Sequence, residues 1–110
     1  MKFTAKDKYK IIEDEKGDIT GFATYLSQNH IKFKNDNVVI NLLESGGVKT
    51  ENLLSFLEIS NLHRMNKRSF VIATRDIDID ALPEDLIVVP TLLEAEDIIN
   101  MEELERELGF

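Results

Sequence analysis

The chain has 110 residues, enough for one domain with a core of its own and too few for a second. It holds no cysteine, which excludes disulfides, thiolate catalysis, Cys-ligated zinc and iron–sulfur clusters and points to a reducing compartment. The net charge of −8 is unevenly spread: residues 1–75 hold twelve Lys and Arg against nine Asp and Glu, whereas residues 76–110 hold Arg106 against twelve acids. Such an acidic third repels nucleic acid and anionic membrane; it suits basic protein surfaces or cations, or else is simply a solvated face.

In chain order, Met1–Lys10 carries four Lys with no apolar run behind it, so it does not read as a secretory signal. No apolar run exceeds about six residues, against the roughly 18 that cross a bilayer. A cytoplasmic protein is expected. Tyr9-Lys10-Ile11-Ile12 reads as a strand, closed by a turn ending at Gly17. Ile19, Phe22, Ala23 and Leu26 mark one face of a first helix, with Asp18 as its N-cap and an end near His30. Ile31-Lys32-Phe33-Lys34 alternates, and Asn35-Asp36-Asn37 is a turn.

Val38–Leu43 is almost continuously apolar, as a strand buried on both faces of a parallel sheet must be. Gly46-Gly47 closes it, and Thr50 is placed to cap a second helix whose apolar face is Leu53, Leu54, Leu57, Leu62 and Met65, with Lys67-Arg68 suiting its C-terminal dipole. Ser69–Thr74 is a second buried strand. An acidic loop, 76–85, leads to a third, Leu86–Val89, stopped by Pro90. Thr91 and Glu94 have capping-box spacing, repeated by Asn100 and Glu103, so the last segment is one long helix or two short ones, ending at Gly109. Strands alternating with helices imply an α/β fold, a mostly parallel sheet of four to five strands with helices packed on it.

Chemistry-bearing patterns are few. Asp76-x-Asp78-x-Asp80 opens like a calcium loop, but the sixth position is Ala81 rather than Gly and the twelfth is Ile87 rather than Glu. Ile77 and Ile79 suggest instead an edge segment with its apolar side inward and its acids outward. In Ser45-Gly46-Gly47-Val48-Lys49-Thr50, between a buried strand and a helix, backbone N–H groups and Lys49 could hold a phosphate; neither common nucleotide-binding glycine motif is present. His30 and His63 have no neighbours in sequence that would make a nucleophile–base pair or a metal set. The carboxylates of residues 94–107 lie along solvated helix faces. No catalytic residue, metal site or cofactor is therefore assigned. Lys2, Lys6, Lys8 and Lys10, with His63, Arg64, Lys67 and Arg68, make a weak nucleic-acid footprint, opposed by the acidic third.

The order of elements resembles the STAS domain, the fold of anti-sigma factor antagonists. That family's signature is a hydrophobic strand ending in Asp-Leu, a short loop, and Asp-Ser at the start of a Leu-rich helix. Here Val38-Val39-Ile40-Asn41-Leu42 matches the strand with Asn41 for Asp, and Lys49-Thr50 falls on the Asp-Ser pair. Leu53–Leu57 follows as the helix, Phe70–Ala73 as the next strand, and Thr91-Leu92-Leu93-Glu94-Ala95 as the closing helix, so the likeness spans roughly residues 9–99. It implies a non-enzymatic regulatory module whose serine is phosphorylated by a partner kinase that is also an anti-sigma factor. Thr50 takes the acceptor position, with Ser45 second if the loop is realigned; Lys49 and Asn52 depart from the family's Asp and Gly. The surface so implied is the 45–52 loop (Gly46, Gly47, Lys49 and Asn52 included) with the exposed face of the second helix.

The chain, especially Val88-Val89-Pro90-Thr91 and the ending Glu105–Phe110, is also similar to short bacterial proteins sometimes labelled ribonuclease Z. That enzyme depends on a His/Asp metal cluster, which two isolated histidines do not supply. The alternative role this likeness implies is an accessory protein of an RNA-processing nuclease, working through its basic N-terminus and the Arg64–Arg68 cluster.

Overall fold

In the computed structural model, which describes residues 1–109, the two most apolar runs become the centre of a five-stranded sheet. Val38–Asn41 (β3) and Phe70–Ala73 (β4) lie parallel, Ile40 opposite Ile72, with Val38, Val39, Ile40 and all of β4 buried. Successive side chains of a strand face opposite ways, so a strand apolar at every position needs cover on both sides. Lys10–Glu13 (β2) pairs parallel with β3, and Ile87–Val89 (β5) parallel with β4. Lys2–Ala5 (β1), not expected from the sequence, runs antiparallel along β2 with Lys2 opposite Glu13. The sheet is thus mixed, and its strands stand in chain order.

Chain order with right-handed crossovers puts the connecting helices on one face. Ile19–Gln28 (α1) and the pair Thr50–Leu54 (α2) and Leu57–Met65 (α3) do so. Phe22, Leu26, Leu53, Phe56 and Ile59 pack there with Ile12, Ile40 and Ile72 in the larger core. The last helix, Leu92–Glu107 (α4), follows the final strand and covers the other face, seating Ala95 and Ile99 on Ile11, Val39, Val71 and Ala73. A polar clamp joins the layers: Asn37, buried, accepts from the Ser69 N–H (2.8 Å) and from Arg106 (3.2 Å) through Oδ1, and donates through Nδ2 to the Lys8 carbonyl and the Glu103 carboxylate.

Caps are where they were expected in two cases. Asp18 accepts from the Gly21 N–H (3.1 Å) and Thr91 from the Glu94 N–H (3.1 Å), although the Glu94 carboxylate accepts from the Thr91 hydroxyl rather than reaching back to its N–H. The C-terminal segment is one helix, unbroken at Asn100, with Gly109 beyond its end at φ +85°, a left-handed position that favours glycine.

Four expectations are corrected. The second helix breaks at Ser55-Phe56, and its buried residues are Leu53, Phe56, Ile59, Ser60 and His63, whereas Leu54, Leu62 and Met65 are exposed. At about 100° per residue those buried residues fall on one side of a rotation that runs on through the break, and Leu54, Leu62 and Met65 fall on the other, so the face that meets the sheet carries Phe56 and Ile59 rather than the leucine row. Thr50 is the first residue of α2, not its cap. Ile31-Lys32 lies in a 3₁₀ turn, His30–Lys32, followed by buried Phe33. The edge segment with both isoleucines inward holds only in part: Ile77 packs against the core, but Ile79 is exposed at the start of another 3₁₀ turn, Ile79–Ala81. Among the described residues no helix is long and apolar enough to cross a membrane.

Candidate functional site

The loop after β3 leaves the sheet at the carboxyl end of its parallel strands, where open α/β sheets commonly bind ligands. Asn41 Oδ1 accepts from the Leu43 N–H (3.0 Å), and the Leu42 carbonyl accepts from the Ser45 N–H (3.0 Å), turning the chain away from the strand. Gly47 then takes φ +68°, which a residue with a Cβ adopts only at a cost. This loop and the segment after β4 enclose an open depression of about 340 Å³, with Ser45, Gly46 and Gly47 on one wall and Thr74, Arg75 and Asp76 on the other. Arg75 supplies a cation and Asp76 an anion to the same rim.

The expected site residues divide between two places. Ser45, Gly46 and Gly47 line the depression; Lys49 and Asn52 do not, but form the start of α2, where Asn52 Oδ1 accepts from the Lys49 N–H (2.9 Å). Lysine has no acceptor to offer the helix in return. Thr50 follows, half-buried and without a capping bond. Its hydroxyl is left free of the structural role first expected of it.

At the opposite end of the sheet the two histidines meet, contrary to the expectation that they are isolated. α1 and α3 run the same way on one face, so His30, just beyond the end of α1, and His63, in the last turn of α3, come together. His63 is fully buried; its Nε2 lies 2.7 Å from the Asp36 carbonyl and its Nδ1 2.8 Å from His30 Nε2. A carbonyl only accepts, so His63 carries its hydrogen on Nε2, and Nδ1 accepts from His30. Phe33 and Phe70 pack edgewise or tilted against the pair, with ring centroids 5.1–6.0 Å away. Burial pushes the His63 imidazole down to about 4, with His30 and Arg64 adding to the effect and Asp36 opposing it. Burial, then the nearby Lys34, lowers His30 as well. Both ring nitrogens of His63 are occupied, with no hydroxyl or carboxylate side chain bonded to either, an arrangement that ties two helices together rather than one that moves protons.

The basic residues are also redistributed. Arg64 binds Glu102 (2.9 Å) and the Phe70 carbonyl (2.9 Å), Arg68 the Asn35 carbonyl (2.8 Å), and Lys10 the Asp36 carboxylate (3.0 Å). Lys6, Lys8, Lys10 and Arg68 share a shallow depression of about 280 Å³ with Asp7, Asp36 and Glu103, so its charge is mixed. In the acidic loop, Asp78 accepts from the Asp80 N–H (3.1 Å), and among the described residues no three His, Asp or Glu side chains gather as metal ligands. Compared with protein-family models and with curated proteins, the chain matches none. Phe110, which closes the stretch similar to the ribonuclease Z-labelled proteins, lies outside the described residues.

Proposed function

We propose that the protein is a non-enzymatic module that binds another protein, in the manner of STAS anti-sigma factor antagonists, through the 45–52 loop and the outer side of α2–α3. The observation that carries this reading is the apolar row left outside the fold: Leu54, Leu62 and Met65 are 42, 48 and 81 % exposed. Scattered surface leucines need no explanation, but three large apolar side chains on one helical segment beside an exposed Gly-Gly loop fit a protein-binding surface. The free hydroxyl of Thr50 supports the regulatory part. Phosphorylation there adds roughly −1.5 to −2 charges beside Lys49 at the edge of that surface, changing partner affinity by local electrostatics. Ser45, across the depression from Arg75, is the second acceptor. The resemblance gives the partner's class, a kinase that is also an anti-sigma factor. The alternative, an accessory of an RNA-processing nuclease, is less well supported, because His63 is buried and Arg64 is paired with Glu102.

Affinity capture from the native host tests the proposal with three baits: the unaltered chain, Thr50→Glu, and Leu62→Gln with Met65→Gln. One protein should be retained by the first and reduced at least about tenfold on the other two, and mass spectrometry of the host's own protein should find phosphate on Thr50 or Ser45. Identical captures by all three baits rule out the surface, and no phosphate at either hydroxyl rules out the switch.

A further inference from the structure

Helix α4 is apolar on two opposite sides. At about 100° per residue, Ala95 and Ile99 point into the sheet, fully buried, while Leu93, Met101, Leu104 and Leu108, the last at its C-cap, fall on the reverse side and are 67, 52, 55 and 63 % exposed. A surface helix ordinarily turns a polar back to solvent. Here the back carries a second stripe along positions 93, 97, 101, 104 and 108, with Asp97 its one polar member. The steps of four, four and three make up an 11-residue repeat, which keeps the stripe on one side of a nearly straight helix and is one of the spacings along which helices pair. At about 1.5 Å per residue the stripe is roughly 22 Å long.

The flanks decide what fits. Glu94, Glu105 and Glu107 border the stripe, all exposed, and together with Asp97 none is in a salt bridge among the described residues. The acids on the inner side are engaged: Glu102 by Arg64, Glu103 by Asn37, Glu96 by Tyr9. Arg106, the helix's one base, is turned to Asn37 and Ser69 at the sheet. Two copies of α4 brought together along this seam would set acid against acid on both borders. Nucleic acid and anionic membrane meet the same repulsion. We infer that the outer face of α4 docks an amphipathic helix of another protein, one with leucine-type residues along its seam and Lys or Arg along both borders. This face lies across the sheet from α2–α3, so it stands or falls separately from the function proposed above.

Three synthetic helical peptides of about 20 residues test it against the full chain, isotopically labelled for NMR: a leucine seam with Lys borders, the same seam with Glu borders, and Lys borders around a Ser seam. Only the first should bind, shifting amides along Leu93–Leu108, weakening as salt is raised and falling at least about tenfold for Leu104→Gln. Leu104 is exposed, and an unchanged amide spectrum elsewhere shows that this variant keeps its fold. The inference is overturned if none of the peptides binds, if the Glu-bordered or Ser-seamed peptide binds equally well, if the shifts map elsewhere, or if Leu104→Gln binds as tightly. Dimerisation of the chain alone that Leu104→Gln abolishes overturns it too, assigning the face to a second copy.

Discussion

His63 shows how far burial changes what a single residue can do. Its two ring nitrogens are used by Asp36 and His30, and its imidazole accepts a proton only near pH 4. In the unfolded chain the same ring titrates at about 6.5. Between those values the unfolded state holds the extra proton, so stability is fully present above about pH 6.5, falls as the pH drops towards 4, and loses nothing more from this group below that. The loss is about 3 kcal/mol for a displacement of this size. Denaturant unfolding through that window should show it in the unaltered chain and a clearly smaller loss in His63→Gln. A His63 ring that titrates near pH 6.5 by NMR would contradict it. The first proton taken by the pair belongs on His30 Nδ1, which leaves both hydrogen bonds intact; a second, on His63 Nδ1, sets two N–H groups against each other.

Among the elements, α4 depends most on a few contacts. Ala95 and Ile99 are its only fully buried side chains, and the Asn37 clamp fixes its second half through Glu103 and Arg106. Asn37→Ala leaves the buried Ser69 N–H without its acceptor and frees the end of α4. It should cost about 2–3 kcal/mol, read as a lower denaturation midpoint with earlier amide exchange in residues 100–108. Asn37 reads in sequence as a turn residue, and it does end the turn before β3; its four partners come from Lys8, Ser69, Glu103 and Arg106, distant segments that no local pattern joins. The second helix is the complementary case. Its leucines suggest a core face, but Leu62 and Met65 lie about 180° and about 120° round from Leu53, on the side away from Phe56, Ile59, Ser60 and His63, and it is the latter that are buried.

For the molecule as a whole, the charge division becomes spatial. The residues that give the last third its net −11 sit in the 76–85 loop and on α4, while only three salt bridges form among the described residues. Repulsion within that surface opposes folding and is screened by salt. Tm should therefore rise between about 0.01 and about 1 M ionic strength, as the Debye length falls from about 30 to about 3 Å. A Tm that falls would mean that the few ion pairs outweigh the repulsion. Composition left that acidity either as a surface for basic partners or cations or as a solvated face; its position beside the outer leucines of α4 is what the inference of a basic helix rests on.

By itself the sequence determined the class of fold, the three inner strands, the helical character of the C-terminal segment and the caps at Asp18 and Thr91, but not that this segment is one helix. Each follows from interactions within a few residues: apolar runs that demand burial on both faces, helical spacing, a side chain within reach of the next free N–H. It also determined where the 45–52 loop lies relative to strand and helix. Only the tertiary structure decided which side of α2–α3 meets the sheet, that His30 and His63 touch, that Asn37 holds four segments together, and that Thr50 is no cap. Burial and long-range pairing depend on where the crossovers carry each helix and on which of its apolar sides then meets the sheet, and a periodicity of about 3.6 residues does not fix that.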